Sequence, residues 1–197
     1  MGSLKVSFHP PLLLAPPGTD RGAPGLRRCY HAALWLSAWL EPWQVQRSGH
    51  VHLVREPGET VWREVDLGRH PLRALEDEPA PEAERLEGEL RVALAGRGLT
   101  FFRIPDLGLV SEIGEGREEF RRRTTGALRP QLQRRLAEEQ GAAAREQAAS
   151  QLAALAASIE TLGLEDLARW VRRAELGVLL VAPGVRLEAP QYRPLMI

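Results

Sequence analysis

The chain of 197 residues contains a single lysine, Lys5, so that 25 of its 26 basic residues are arginines. A phosphate-binding P-loop needs a lysine after a glycine-rich turn, because backbone N–H groups cradle the phosphates while the lysine neutralises them. The surroundings of Lys5, "SLKVS", contain no such turn, which excludes a P-loop. The bias towards arginine is typical of a GC-rich genome. Its functional alternative is selection for bidentate contacts to carboxylate or phosphate groups.

Cysteine is as scarce as lysine. Cys29 is the only one, which excludes an internal disulfide and a thiolate zinc cluster. Its apolar neighbours in "RRCYHAALWL" favour a buried, inert thiol over a nucleophile. The G-x-S-x-G, H-E-x-x-H and C-x-x-C motifs are also absent. The acid pairs Glu118/Glu119 and Glu138/Glu139 are neighbours on exposed helix and do not converge as paired-carboxylate catalysis requires. We therefore predict a non-enzymatic protein without a cofactor.

Long apolar runs and a net charge are lacking too. A bilayer span needs about 18 consecutive apolar residues, and the segment "LLLA" at 12–15 is too short even for a signal peptide. The formal net charge is zero, which argues against a domain-wide basic field for nucleic acid. With 44% hydrophobic residues, the chain can form one cored domain, or one domain with a helical extension. We predict a soluble cytoplasmic protein without a membrane partner.

Residue patterns predict an α+β fold of short β-hairpins and packed helices. Alternating apolar and polar residues around Pro-Gly indicate a hairpin over 50–67, and Pro10 and Pro11 divide an N-terminal strand region at 4–15. A linker is predicted over 68–82. Helical spacing predicts helices over 26–40, 83–97 and 163–176, and strands are predicted over 99–104, 107–113 and, as a C-terminal hairpin, 177–189.

An acidic-then-basic segment, "GEGREEFRRR", predicts the start of a helix after Gly114, since acids suit its first turn. The pattern continues with a kink or restart near Gly126 and Pro130. We therefore predict a body of residues 1–114, completed by 177–197, and a helical hairpin or arm over 115–176. Apolar residues at three-four spacing give this arm a contact seam: Leu152, Leu155, Ile159 and Leu162.

Two polar groups are candidates for binding chemistry. His50 and His52 point to one side of a strand and could ligate zinc with a third residue such as His70, Glu56 or Glu64, although solvent-facing histidines are the simpler interpretation. A basic cluster on the arm could contact phosphates or acidic partner helices: Arg121, Arg122, Arg123, Arg129, Arg134 and Arg135. Glu118 and Glu119 precede Arg122 and Arg123 by four residues, the spacing of helix ion pairs, so a self-compensated surface is the alternative.

The stretch "LTFFRIPDLGLVSEIGEGREEFRRR" resembles the C-terminal region of bacterial HerA-like ATPases, where a strand pair is followed by a turn and a long charged helix. The matching residues are Gly114, Glu115, Gly116, Glu118, Glu119 and Phe120. The resemblance extends more loosely over 47–197 and does not include an ATPase core. It implies a separately encoded accessory module of such an ATPase.

Three functions follow from these patterns. The first is an interaction protein, or subunit, that docks through its arm seam to a protein partner or to a second copy. The second is a nucleic-acid-binding accessory protein that uses the arginines of 121–135. The third is a metal-dependent hydrolase built on His50 and His52.

Overall fold

The computed structural model describes residues 4–67, 71–75, 83–140 and 144–190, and at 83–84, 135–140 and 144–145 it describes the backbone alone. The strands are β1 Lys5–Phe8, β2 Leu12–Leu14, β3 Arg27–Leu40, β4 Val45–Arg55, β5 Arg63–Val65, β6 Leu72–Ala74, β7 Leu99–Ile104, β8 Leu109–Val110, β9 Glu160–Leu164 and β10 Val171–Val181. The helices are α1 Ala83–Ala95, α2 Arg117–Gln140 and α3 Ala144–Ala157. The fold is α+β, as predicted.

The described residues form two compact units, 4–97 with 165–190 and 98–164. The first unit contains a mixed seven-stranded sheet in the order β5-β4-β3-β10-β2-β6, with β1 also paired to β10. The second contains a three-stranded antiparallel sheet in the order β8-β7-β9. The chain returns after the helical pair through β10, whose partners are β1, β2 and β3 instead of a neighbouring hairpin strand.

The helix predicted over 26–40 is wrong, because Arg27–Leu40 form the long central strand β3. β3 lies between β4 and β10 and is buried on both faces over much of its length. A strand covered on both faces shows a nearly continuous apolar run, which periodicity cannot distinguish from a buried helix. The hairpin predicted over 50–67 is present as β4 and β5, with a Pro-Gly turn in which Gly58 has a φ of +88°.

Two prolines divide the chain that runs beside β10 into two short strands. β1 and β2 both run parallel to β10, at successive positions along it. Proline has no N–H group to donate to a ladder, so Pro10 and Pro11 interrupt the pairing between them. As a result, His9 lies in the break between β1 and β2 and belongs to neither strand.

The predicted helix over 83–97 is present as α1, which buries Leu86, Leu90 and Leu94 completely. Leucines at i, i+4 and i+8 share one side of a helix. α1 packs on the face of the sheet that carries Tyr30 and Arg55, because Arg55 forms an ion pair with Glu89 of α1. The opposite face of β3 and β4 therefore carries the alternate residues, among them the histidines.

The core of the second unit joins one residue from the first turn of α2 to aromatic and aliphatic residues in and beside the small sheet. Phe120 is fully buried and packs with Phe102, Ile104 and Ile159. α2 and α3 contact each other as the predicted helical pair, and α2 runs through Pro130. The predicted helix over 163–176 is wrong, since this segment contains the end of β9, a short 3₁₀ turn at Leu167–Arg169 and the start of β10.

None of the helices in the described ranges is both long and apolar enough to span a lipid bilayer. Most of the predicted linker over 68–82 and the C-terminal residues 191–197 lie outside the described residues.

Candidate functional site

Four histidines of the first unit gather on the face of the sheet opposite α1. His50 and His52 of β4 pair with Trp35 and Ala33 of β3, and paired residues in an antiparallel ladder share a face. His31 lies two residues before Ala33 on β3 and therefore points to the same side. The fourth, His9, comes from the break after β1. Of the four, only His50 and His52 were predicted from the sequence.

A glycine makes room for His9. Gly177 of β10 pairs with His31, and a Cβ atom at 177 would come within 2.3 Å of Cε1 and 2.4 Å of Nδ1 of His9. Any side chain at this position would therefore collide with the imidazole. The backbone N–H of His9 donates to the carbonyl of Leu176 at 2.9 Å, which holds the ring over the glycine.

The buried rings form a chain of hydrogen bonds. His9 Nδ1 lies 2.7 Å from the carbonyl oxygen of Pro10, His9 Nε2 lies 3.1 Å from His31 Nδ1, and His31 Nε2 lies 3.0 Å from His52 Nδ1. A carbonyl oxygen only accepts, so Nδ1–H of His9 is the donor there. If all rings are neutral, His31 then donates through Nδ1 to His9, and His52 donates through Nδ1 to His31. One carbonyl thus fixes three tautomers and leaves Nε2 of His52 as an acceptor.

Burial keeps these imidazoles neutral. It lowers the pKa of His31 well below the ordinary value of 6.5, and the neighbouring rings of His52, His9 and His50 lower it further. Burial, together with His50, lowers the pKa of His52 to about 4, while Asp66 opposes the shift. Burial also lowers the pKa of His9. The chain of rings can therefore carry this pattern of donors and acceptors at neutral pH.

The arrangement does not provide a metal site or a nucleophile. No group of three or more His, Cys, Asp or Glu side chains in the described part of the chain is placed to hold a metal ion, and His70 lies outside that part. The ring nitrogens of His31 are both engaged by other rings and do not converge on a common point. Burial raises the pKa of the Cys29 thiol, which disfavours the reactive thiolate.

The outer end of the histidine chain continues into a surface of aromatic and polar residues. The rings of His50 and Trp35 stack with centroids 4.4 Å apart, and the guanidinium of Arg173 lies 4.9 Å from the centre of the Trp35 ring. Farther along the hairpin, Trp39 is 47% exposed. We call this surface the ribbon face, and its residues are Trp35, Ser37, Trp39, Gln46, Ser48 and His50.

The ribbon face is uncharged at neutral pH and internally hydrogen-bonded. Gln46 donates through Nε2 to Ser37 Oγ at 3.0 Å, and the Ser48 hydroxyl lies 3.3 Å from the same oxygen. These polar side chains lie beside Trp39 on the same face of the hairpin. A large exposed indole with polar neighbours is the composition typical of an interaction surface.

The residues of the predicted arm seam are buried or partly buried. Leu152 and Ile159 are buried, and Leu155 packs partly buried against the Phe102–Phe120 core. Ile159 follows the end of α3, and Leu162 lies on β9, paired with Phe101. These four residues therefore do not form one continuous stripe along a helix.

The structure separates the arginines of the predicted basic cluster. Arg123 makes two contacts of 2.6 Å with the buried carboxylate of Glu115, and Arg121 pairs with Glu118 at 2.6 Å. Arg122 and Arg129 lie exposed seven residues apart, which places them on one side of α2. Arg134 is also exposed, and the side chain of Arg135 lies outside the described residues.

Comparison with known proteins gives no family match, and neither curated proteins nor solved structures show a significant similarity to this chain.

Proposed function

We propose that this chain is a non-enzymatic cytoplasmic interaction protein whose ribbon face binds a protein partner. The observation that carries the proposal is the 47% exposure of Trp39 at the polar end of a long β-hairpin. Burying an exposed indole against a partner contributes strongly to affinity, and tryptophan is enriched among the residues that dominate protein interfaces. Leu152 and Ile159 are buried, so we propose the ribbon face as the binding surface in place of the arm seam.

The charge distribution supports a protein over a nucleic acid at this surface. Arg173, whose guanidinium lies over the Trp35 ring, forms an ion pair with Glu175, which offsets its charge. Side chains such as Ser37 and Gln46 can donate and accept hydrogen bonds at an interface margin. The HerA-like ATPase partner implied by the sequence resemblance stays an untested prediction.

The partner can be identified by a photo-crosslinking amino acid placed at Gln46, which faces Trp39 across the hairpin. The matched control carries the same group at Val92, which is 77% exposed on α1. A protein captured in native host cells from position 46 and not from 92 is then purified for direct binding measurements. We expect Trp39→Ala to weaken that complex at least about tenfold.

Val61→Ala is the matched control for lost apolar area, since Val61 is 60% exposed away from the ribbon face. It should leave the affinity unchanged. Equal capture from positions 46 and 92, or equal affinity of the Trp39→Ala variant for the purified partner, would overturn the proposal.

A second function, binding of nucleic acid through α2, is supported by one observation. Arg122 and Arg129 are exposed on one side of the helix, and neither has an ion-pair partner among the described side chains. Removing both should reduce the slope of log affinity against log salt by about 0.9 for each lost phosphate contact. Arg121→Ala, which removes a guanidinium already paired with Glu118, should change the slope less. Absence of DNA binding at low salt would exclude this function.

A further inference from the structure

The histidine chain through His9, His31 and His52 has one closed end and one open end. At the closed end, Nδ1–H of His9 donates to the carbonyl oxygen of Pro10, which has no proton to give and takes none. At the open end, Nε2 of His52 has no hydrogen-bond partner among the described residues, and it is not among the atoms that are buried without one, so water reaches it. A proton from solvent therefore enters the histidine chain at His52.

We propose that the histidine chain is a switch that takes up one proton at Nε2 of His52 and reverses the direction of its ring-to-ring hydrogen bonds. The Nδ1 proton of His52 passes to Nε2 of His31, 3.0 Å away, and the Nδ1 proton of His31 passes to Nε2 of His9, 3.1 Å away. His52 and His31 end neutral, each with its proton on Nε2, and His9 ends as the imidazolium. Every hydrogen bond is kept and no ring has to turn, as a proton shuttle of imidazoles requires.

His9 is the ring whose surroundings best accept the positive charge. As an imidazolium it donates through both nitrogens, and an acceptor already faces each of them: the carbonyl oxygen of Pro10 and Nδ1 of His31. Burial lowers the pKa of His9, but the Pro10 carbonyl and Glu175 oppose this shift. For His31, burial and the neighbouring rings all lower the pKa.

Other charged and titratable groups lie on the same face of the sheet or beside it. Glu175 is two residues before Gly177 on β10, so it points to the face on which His9 lies. Asp66, after β5, favours the charged form of His52, but burial and His50 oppose it. The groups that flank the histidine chain, taken from every strand around it, are Lys5, His50, Arg63, Asp66, Arg173, Glu175 and Glu188.

The switch changes what the protein surface offers at His52. Before proton uptake, Nε2 of His52 can only accept a hydrogen bond, which suits a hydroxyl or N–H group of a ligand. After uptake it can only donate, which suits a carboxylate or carbonyl oxygen, although His52 itself stays neutral. The inference does not depend on the ribbon face being a binding surface, since His52 is not one of its residues.

Nitrogen NMR of the full-length protein labelled with ¹⁵N-histidine tests the reversal, because protonated and unprotonated ring nitrogens have widely separated chemical shifts. At neutral pH we expect His9, His31 and His52 all to carry their proton on Nδ1. As the pH is lowered, His31 and His52 should exchange the shifts of their two nitrogens, and His9 should become protonated on both, with one common midpoint. His50, which has no hydrogen bond to the other rings, is the internal control and should simply gain a second proton.

Glu175→Gln tests where the charge rests. It removes the carboxylate that favours the imidazolium of His9, so the common midpoint should move to lower pH. Glu87→Gln is the matched control, because Glu87 also forms an ion pair with an arginine and is similarly exposed, but it lies on α1, at the opposite face of the sheet. This control should leave the midpoint unchanged.

A titration in which His52 gains a second proton while His9 and His31 keep their tautomers would overturn the proposal. So would unfolding before any of the three rings changes its tautomer, which the amide spectrum reports, or equal midpoints for the Glu175→Gln and Glu87→Gln variants.

Discussion

Gly177→Ala is the substitution that most directly tests the histidine chain. Replacing glycine by alanine is favourable by about 0.4–1 kcal/mol when the backbone can accept it, because the unfolded chain loses freedom. At Gly177 the new Cβ would lie 2.3–2.9 Å from three atoms of the His9 ring. Contacts this short cannot persist, so His9 must leave its position.

The expected loss of stability comes from the hydrogen bonds that His9 makes in its present position. Its displacement breaks the bonds of 2.7 Å to Pro10 O and 3.1 Å to His31 Nδ1. His31 is 1% exposed, so its Nδ1–H group loses its partner without gaining water, and an orphaned buried polar group costs about 1–3 kcal/mol. We expect Gly177→Ala to lower the free energy of unfolding by about 2–4 kcal/mol when the lost packing of the ring is included.

Urea unfolding at neutral pH, followed by tryptophan fluorescence, measures this change. Trp35 stacks on His50 in the same unit and supplies a local signal. Gly88→Ala on α1 of the same unit is the matched control, since a Cβ there meets no atom within 4 Å, and it should be neutral or slightly stabilising. In the background His9→Ala, Gly177→Ala should lose most of its cost because no ring remains to collide with. An equal cost in both backgrounds, or no cost in the wild type, would refute the reasoning.

Two further predictions concern charge. Burial lowers the pKa of His52 from 6.5 to about 4, so between these two values the unfolded chain binds a proton that the folded chain does not bind. The stability that depends on neutral His52 is therefore fully present above pH 6.5 and decreases as the pH falls towards 4. His52 alone accounts for a loss of about 2 kcal/mol or less at pH 5, and urea midpoints that stay constant from pH 7 to pH 5 would contradict this. Arg123→Ala should lower the free energy of unfolding by about 3–5 kcal/mol, because it leaves the carboxylate of Glu115 buried and unpaired. The double variant Arg123→Met with Glu115→Gln should be less destabilised in thermal unfolding. Equal destabilisation of the two variants would show that the charge of Glu115 is not the cause.

Local patterns predicted the elements whose stabilising contacts are local. Leu86, Leu90 and Leu94 predicted α1 because a helix repeats its buried side about every four residues. The alternation around Gly58 predicted the β4–β5 hairpin, because a tight turn and a half-buried ladder leave a period of two. The fold class followed from these elements together.

β3 could not be predicted in this way. Its apolar positions include Leu34, Leu36 and Ala38 on one face and Ala33 and Trp35 on the other, so the sequence shows neither clear alternation nor a unique helical spacing. Whether this segment forms a helix or a strand depends on its pairing with β10, which lies more than a hundred residues later in the sequence. Information of this kind is tertiary and overrides local propensity.

The candidate site was predicted in part for a related reason. His50 and His52 share a face by strand alternation alone, and the sequence shows this directly. His9 and His31 join them only through a parallel pairing of β1 with β10 and an antiparallel pairing of β10 with β3. The sequence signals of this arrangement are Pro10, Pro11 and Gly177. Each of them is compatible with many strand orders, so none of them alone predicts the observed order.

The histidine chain also determines how the ribbon face is held in one position. A one-residue slip of β4 against β3 would turn His52 to the opposite face and leave His31 Nε2 without a donor. The register of the two strands is therefore fixed by a buried hydrogen bond as well as by packing. A buried polar group that has a hydrogen-bond partner in only one register disfavours every other register. Trp39 and Gln46 lie on the same two strands, so their juxtaposition follows from the same register. His31→Leu removes the central ring of the histidine chain and should therefore allow β4 to shift against β3. We expect it to weaken partner binding at Trp39, although His31 is not part of the ribbon face.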